Sequence, residues 1–326
     1  IFTFHEFVAP VIRLLGGRRL DELPSVSARL AVEVEAERGR TEYLLVSLMT
    51  TDDQRQRQSY AAYPMGKGSG SVTTFSRADG FVTIDRHQEF LEAGTDVSVK
   101  LLAPQLRLAD LVVIGSHCLG LDYLLGQMQV RGWQTKFLAV GSAGGLAAVG
   151  RGECDVAGVH LLDEKTGQYN YPFLPPRCQL WTGYVRRQGI LFRPGDSRLE
   201  GKAVTDAILA ALGDPQCVMI NRNRGSGTRV IIDQLLAGAQ PPGYAHQVRN
   251  HSAVAAAITQ GRADWGVAME TAAEQAKLAF NPVTDESYDF VVPDSRADRP
   301  AVRAFRDMLD EPSTRAGLQD VGCFIR

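Results

Sequence analysis

The stretch Asn221-Arg222-Asn223-Arg224-Gly225-Ser226-Gly227-Thr228-Arg229 decides how the second half of this chain is read. It follows an apolar run, Cys217 to Ile220, with the character of a buried strand. It precedes Val230, Ile231, Leu235 and Leu236, which fall at helical spacing. A glycine-rich turn therefore joins a strand to a helix and leaves backbone N–H groups free at the helix start. Ser226 and Thr228 add hydroxyl donors, and Arg224 and Arg229 add charged ones. With the positive end of the helix dipole, these groups suit a small oxyanion. The same glycines and serine are also ordinary turn and cap residues, so a purely structural role stands beside the functional one. A Walker loop is excluded, because that pattern needs Lys before the Ser/Thr and none is present in the turn.

Working outward, the strand-turn-helix unit is part of an internal repeat. Ser142-Ala143-Gly144-Gly145-Leu146-Ala147-Ala148 runs through Gly152 to Asp155-Val156-Ala157. His251-Ser252-Ala253-Val254-Ala255-Ala256-Ala257 runs through Gly261 to Asp264-Trp265-Gly266 at the same spacing. Each copy reads as a strand (Phe137 to Val140; Gln247 to Arg249) entering a Ser-capped, Ala-rich helix, stopped by Gly, with Asp opening the next strand. Asp155 and Asp264 are counterparts and suit a repeated turn better than catalysis. Two such units predict two lobes around a cleft. Trp181 to Phe192, two short strand-like runs around Arg186-Arg187-Gln188-Gly189, is a candidate crossing between them.

From Leu111 onward strands and helices alternate, as in an α/β domain with parallel strands. Upstream the character differs. Residues 1–20 read as one helix containing Pro10 and ending at Gly16-Gly17. Val26 to Ala36 and Thr41 to Met49 suggest a hairpin about Arg38-Gly39-Arg40. Tyr60 to Pro64, Gly80 to Ile84 and Asp96 to Leu102 are further strand candidates, which together predict a small β-barrel or sandwich.

Composition narrows the function classes. With 326 residues, two domains or more are expected at about 150 residues each. The net charge of −2 gives no footing for broad nucleic-acid or membrane-surface binding. No apolar run approaches the ~18 residues of a spanning helix. Five scattered cysteines suggest neither a disulfide framework nor zinc, and fit a reducing, cytoplasmic setting. Residue 1 is Ile and runs directly into helix-like sequence, so an upstream region is expected.

Other strand-helix junctions repeat the donor chemistry: Gly115-Ser116-His117, Gly141-Ser142-Ala143-Gly144-Gly145 and Asn250-His251-Ser252. In a two-lobed fold these ends converge on one cleft. The candidate ligand set is Ser116, His117, Ser142, Gly144, Gly145, Arg224, Ser226, Gly227, Thr228, Arg229 and His251. His160, in an apolar strand, reads as a hydrogen-bonded core or cleft-wall residue. No nucleophile-base set and no metal site is legible.

Two resemblances cover nearly the whole chain. Phe4-His5-Glu6-Phe7-Val8-Ala9-Pro10, Gly39-Arg40-Thr41-Glu42-Tyr43, Ala62-Tyr63-Pro64-Met65-Gly66-Lys67-Gly68-Ser69-Gly70-Ser71 and Ala78-Asp79-Gly80 resemble the C-terminal end of molybdopterin molybdenumtransferase. That family inserts molybdate into adenylylated molybdopterin, with magnesium, as a dimer. The resemblance implies that Arg40, Ser69 and Ser71 face its cleft, and that this chain alone lacks the activity. Gly141 to Leu146, Ala157 to Asp163, Tyr184 to Gly189, Gly225 to Arg229 and Gly261 to Asp264 resemble a periplasmic-binding-protein-like domain of the molybdate- and tungstate-receptor kind.

The expected architecture is thus a terminal helix (1–20), a β-barrel domain (21–104) and an α/β two-lobed type II binding-protein-like domain (105–326). Lobe I would span about 105–182 and 267–326, and lobe II about 183–266. The resemblances imply a small oxyanion such as molybdate or tungstate, or a molybdopterin-type ligand, and a homodimer formed through the molybdenumtransferase part. A non-enzymatic sensor of a small organic anion is the alternative.

Overall fold

The computed structural model describes all residues except 1, 3, 18–23, 52–58, 66–74, 76–77, 104, 107, 164, 225 and 326. The chain divides into two compact units, Ile1–Val112 with Ala148–Asp155, and Val113–Ala147 with Val156–Arg326.

In the first unit a wide helical turn, Phe4–Val8, runs into α1 (Ala9–Leu15). The helix ends at Gly16, and Gly17 follows in the left-handed region at φ 68°. Five strands then close a barrel in the order β1-β4-β3-β5-β7: β1 (Ser25–Leu30), β3 (Glu42–Thr51), β4 (Ser59–Pro64), β5 (Gly80–Ile84) and β7 (Asp96–Leu101). Inward residues of these strands, among them Leu30, Val46, Ala62, Ile84 and Val99, form one apolar core. The expected hairpin is corrected. β1 and β3 do not pair; β1 lies between β4 and β7, while β3 lies between β4 and β5. The cause is the two-residue strand β2 (Val34–Glu35). It leaves the run begun by β1 to pair with β6 (Phe90–Leu91) before the turn at Gly39.

The second unit carries α2 (Leu119–Val130), α3 (Gly141–Gly150) up to Ala147, β10 (Ala157–Val159), β11 (Cys178–Phe192) and α4 (Val204–Gly213). These come after β8 (Leu111–Gly115), and β9 (Thr135–Ala139) lies between α2 and α3. Then come β12 (Met219–Arg222), α5 (Gly227–Leu236), β13 (Gln247–Val248), α6 (His251–Thr259) and β14 (Trp265–Met269). The chain ends with α7 (Glu270–Gln275), β15 (Ala279–Pro293), α8 (Pro300–Leu309) and α9 (Pro312–Asp320).

β8 pairs with β9, and six strands form a sheet in the order β10-β15-β11-β14-β12-β13. The sheet is mixed rather than all parallel, because β11 and β15 run antiparallel along their length, from Cys178 opposite Pro293 to Phe192 opposite Ala279. The far end of β15 borders β10, and the far end of β11 borders β14. Neighbours thus change midway along both strands, which makes two lobes joined by a pair of crossing strands. The segment Trp181 to Phe192, expected as two short runs, is one strand. Its register with β15 shifts twice, between Trp181 and Tyr184 and between Gln188 and Gly189, and a side chain at 189 would come within 2.3 Å of the Asn281 carbonyl oxygen.

The internal repeat has a common geometry. Asp155 accepts from the Val112 amide at 2.7 Å and donates its own N–H to the Val112 carbonyl. Asp264 does the same with Val218, at 2.8 Å for the side-chain bond. Both carboxylates therefore tie a strand start to its neighbour, as their repeated position implied. In the second copy, however, the helix cap is Asn250, whose side chain accepts from the Ala253 amide, and not Ser252. The buried face of α5 is also shifted. Thr228, Arg229, Ile232 and Leu236 face inward, and Val230 stands partly in solvent.

Candidate functional site

Three residues of the first lobe meet because their strands approach closely. A side chain at Gly115 would come within 2.4 Å of the Gly158 carbonyl oxygen, and the Ser116 amide donates to that same oxygen at 2.9 Å. Ser116, just past β8, and His160, just past β10, are thereby held side by side. Ser116 Oγ lies 2.8 Å from His160 Nε2. The His160 amide donates to Ser142 Oγ, in the first turn of α3, at 3.1 Å. The other ring nitrogen, His160 Nδ1, lies 2.8 Å from Glu286 Oε1.

Glu286 and Arg186 are register partners at the middle of the crossing strands. Arg186 Nη2 donates to Glu286 Oε2, and its guanidinium lies 5.0 Å over the Tyr288 ring. Tyr288 in turn stacks on His160 and donates its hydroxyl to the Ser116 carbonyl. Burial pushes the Glu286 carboxyl up, but Arg186 and His160 outweigh it and bring it down to about 2. Glu286 is therefore a carboxylate at any physiological pH.

The second lobe supplies Arg222, the last residue of β12, and His251, the first of α6. Arg222 is 6% exposed. Its Nη1 donates to His251 Nδ1 at 2.9 Å, and its Nη2 to the Arg249 carbonyl at 3.2 Å. Its Nε is buried without a partner. Among the described residues no carboxylate forms an ion pair with Arg222. Burial lowers its pKa, with Glu286 acting in the opposite sense. His251 is pushed down to about 3 by burial first, then by Arg222 and Arg186, so it is a neutral acceptor. Arg186 and Glu286 cancel, which leaves the Arg222 charge in surplus. A buried cation that meets only neutral groups costs several kcal/mol, on the order given by ion desolvation, unless an anion joins it.

The structure brings Ser116, Ser142 and His251 into this cluster and leaves other sequence candidates outside. Arg229 stands apart from it most clearly. Its Nε sits on Asp233 at 2.9 Å, its Nη1 on the Arg222 carbonyl, and its Nη2 on the Tyr244 hydroxyl. Every guanidinium nitrogen holds the α5 turn together. Ser226 is the α5 cap, accepting from the Arg229 amide and donating to Asn223 O. Thr228 is buried, and Arg224 and Gly227 are exposed. His117 points outward onto Asp122 at 2.8 Å. Gly145 serves packing: a side chain there would come within 2.7 Å of the Ile114 carbonyl oxygen, and one at Gly144 would meet Val140. In the first unit, Arg40 is exposed and pairs with Glu37, while Ser69 and Ser71 lie outside the described residues.

A two-lobed sheet crossed by two strands has known counterparts. The PBP superfamily domain matches residues 125–310, more than half of the chain. The chain belongs to the PBP superfamily. Ahead of that domain, residues 27–102 match the MoeA C-terminal region (domain IV). A curated relative, the uncharacterized protein YvgK of Bacillus subtilis (strain 168), is 31% identical over 191 residues, which are 55% of this chain and 58% of that protein. The chain thus spans somewhat over half the length of this relative.

Solved structures with the same fold include an ABC-type phosphate transport receptor from Vibrio cholerae (TM-score 0.50, 14% identity, 66% of this chain and 100% of that one). A putative phosphate ABC transporter substrate-binding protein from Clostridium perfringens, with bound phosphate, has TM-score 0.51 and 9% identity over 66% of this chain and 99% of that one. The tungstate-binding protein TupA from Desulfovibrio alaskensis G20 has TM-score 0.47 and 14% identity over 64% and 93%.

Within this PBP superfamily fold, five cluster residues were absent from the candidate ligand set: Arg222, Arg186, Glu286, Tyr288 and His160, the last read from sequence as a core or cleft-wall residue. Arg222 stands before the glycine-rich turn at the end of a strand, where a charge is unexpected. Arg186 and Glu286 had a signal: each is a charge in a strand that continues as Ile190-Leu191-Phe192 or Tyr288-Asp289-Phe290-Val291-Val292. A charge within such a strand needs a buried partner.

Proposed function

We propose that the PBP-like domain binds a small tetrahedral oxyanion of the molybdate or tungstate kind, with Arg222 as its principal cation. The observation that carries this reading is Arg222 itself: nearly fully buried, bonded only to neutral acceptors, with Nε unpartnered. An anion between the lobes would take that N–H and cancel the surplus charge. The neutral His251, held by Arg222, and the Ser116 and Ser142 hydroxyls complete a donor-rich surround. Phosphate, bound by two receptors of the same fold according to their names, is an anion of the same shape and charge class.

The choice of metal oxyanion rests on the MoeA C-terminal match beside the binding domain. In the resembled family molybdate is inserted into molybdopterin, and a fused receptor would hold that substrate. We assign homodimerisation to the barrel part on the same ground. Magnesium and molybdopterin belong to the full-length reaction, and no residue of this chain is assigned to them.

Calorimetric titration of the chain with molybdate, tungstate, phosphate and sulfate tests the proposal. One-to-one heat with molybdate or tungstate is expected, with sulfate weaker because it is smaller. No heat from any of the four at neutral pH contradicts it.

A further inference from the structure

The hydrogen-bonded chain Ser116–His160–Glu286 goes beyond what an oxyanion receptor requires. A hydroxyl, an imidazole and a carboxylate are linked through opposite ring nitrogens, at 2.8 Å in both bonds. A nucleophilic serine needs this order: base on the hydroxyl, acid group behind the base. With Nδ1–H directed to Glu286, the Nε2 lone pair faces Ser116 Oγ–H. Glu286 is in turn fixed by Arg186 on its second oxygen, so the base is oriented from behind by a buried ion pair. Tyr288 packs against the ring and bonds the Ser116 carbonyl, which limits movement of both partners.

The chain context matches the chemistry as well. Ser116 follows β8 and comes three residues before α2, and it is half-buried rather than sealed. The His117 amide directly follows the nucleophile, the position from which a backbone donor can meet a developing oxyanion. Across the site, Arg222 offers its unpartnered Nε to a negative group.

We propose that Ser116, His160 and Glu286 form a nucleophilic triad that cleaves a carboxylic ester carrying an anionic group, with Arg222 holding the anion. Only the placing of that anion rests on the oxyanion-binding reading. In the first step Ser116 Oγ attacks the ester carbon, and its proton passes to His160 Nε2. The carbon–alkoxy bond then breaks, and the proton moves from His160 to the departing oxygen, which leaves as an alcohol. In the second step a water gives one proton to His160 while its oxygen attacks the acyl carbon. The carbon–Oγ bond breaks, the proton returns to Ser116, and the acid departs. The sum is ester plus water to carboxylic acid plus alcohol.

Two probes test this on the whole chain. The first is a neutral alkyl fluorophosphonate, which loses fluoride to a reactive serine and needs no anion site. The second is the mono-p-nitrophenyl ester of succinic acid. Peptide mapping is expected to place the phosphonate on Ser116, with no adduct in Ser116→Ala and labelling at least tenfold slower in His160→Gln. Ester cleavage is expected to vanish in Arg222→Met while labelling of Ser116 persists. Should a variant fail to fold, the adduct site in the unaltered chain still decides. Absence of a Ser116 adduct in a chain that gives heat with molybdate overturns the triad and leaves oxyanion binding standing. An adduct and ester turnover in a chain that gives no heat with any oxyanion supports the triad and removes the binding reading.

Discussion

The two lobes use one frame and fill it differently. In each, an aspartate clamps the start of a strand: Asp155 on Val112 and Asp264 on Val218. Four residues beyond the clamped position stand Ser116 in one lobe and Arg222 in the other. At the matching helix starts stand Ser142 and His251. The first lobe therefore presents hydroxyls tied to His160, while the second presents a guanidinium against a neutral imidazole. The difference teaches that the repeat specifies position and not chemistry. Each lobe alone is incomplete, with a polar network on one side and a surplus charge on the other.

The sharpest way to break this comparison is to remove the surplus charge. Arg222→Met is expected to weaken oxyanion binding by on the order of 100-fold, since truncating a buried charged partner costs roughly 2–5 kcal/mol. The same change should raise the urea midpoint of the ligand-free chain, because a buried cation without a counter-ion disfavours folding. Affinity and stability moving in the same direction would count against the proposed site.

Acid titration separates the lobes next. His251 has a folded value of about 3, below its ordinary 6.5. Between those values the unfolded chain binds a proton that the folded chain does not. Its share of stability is therefore complete above pH 6.5 and is lost on acidification, at about 1.4 kcal/mol per pH unit at most. Glu286, depressed to about 2, adds a further loss only below the ordinary carboxylate range. His251→Gln is expected to flatten the decline between pH 6 and pH 4, read by denaturant midpoints. An unchanged slope would mean that His251 is not held neutral.

Packing of the first lobe gives a smaller effect. Gly145→Ala should cost about 1–3 kcal/mol, because its methyl group would press on the backbone of Ile114 and Gly115. Since Ser116 follows directly, triad reactivity should fall with it, whereas titration behaviour of His251 in the second lobe should not change. The smallest effects belong to candidates outside the cluster. Arg229→Ala should lower stability through Asp233 and Tyr244 with less than about a threefold change in affinity. His117→Ala should lie within about 0.5 kcal/mol of the unaltered chain in thermal unfolding.

Much of this frame was readable in advance. The repeat could be read because small residues, a stop glycine and an aspartate recur at fixed spacing, and Gly152 and Gly261 both take positive φ as helix stops require. The barrel strands could be read from alternation, but not their pairing. Short β2 diverts the chain, and no local signal fixes which strands meet. The site was half legible. Ser116, Ser142 and His251 stand at strand-helix junctions, where physics favours donors. An arginine at a helix start looks available in sequence, while Asp233 one turn later and Tyr244 beyond the helix hold Arg229. The Glu286–Arg186 pair comes from residues a hundred positions apart, brought together only by the antiparallel crossing.

Both proposals seat an anion at Arg222. Anomalous diffraction from crystals of the chain soaked in tungstate measures this directly. A single tungsten peak with an oxygen within hydrogen-bond distance of Arg222 Nε, flanked by Ser116 and Ser142, is the predicted result. A peak lying elsewhere, or none at a concentration that saturates binding in solution, would contradict it.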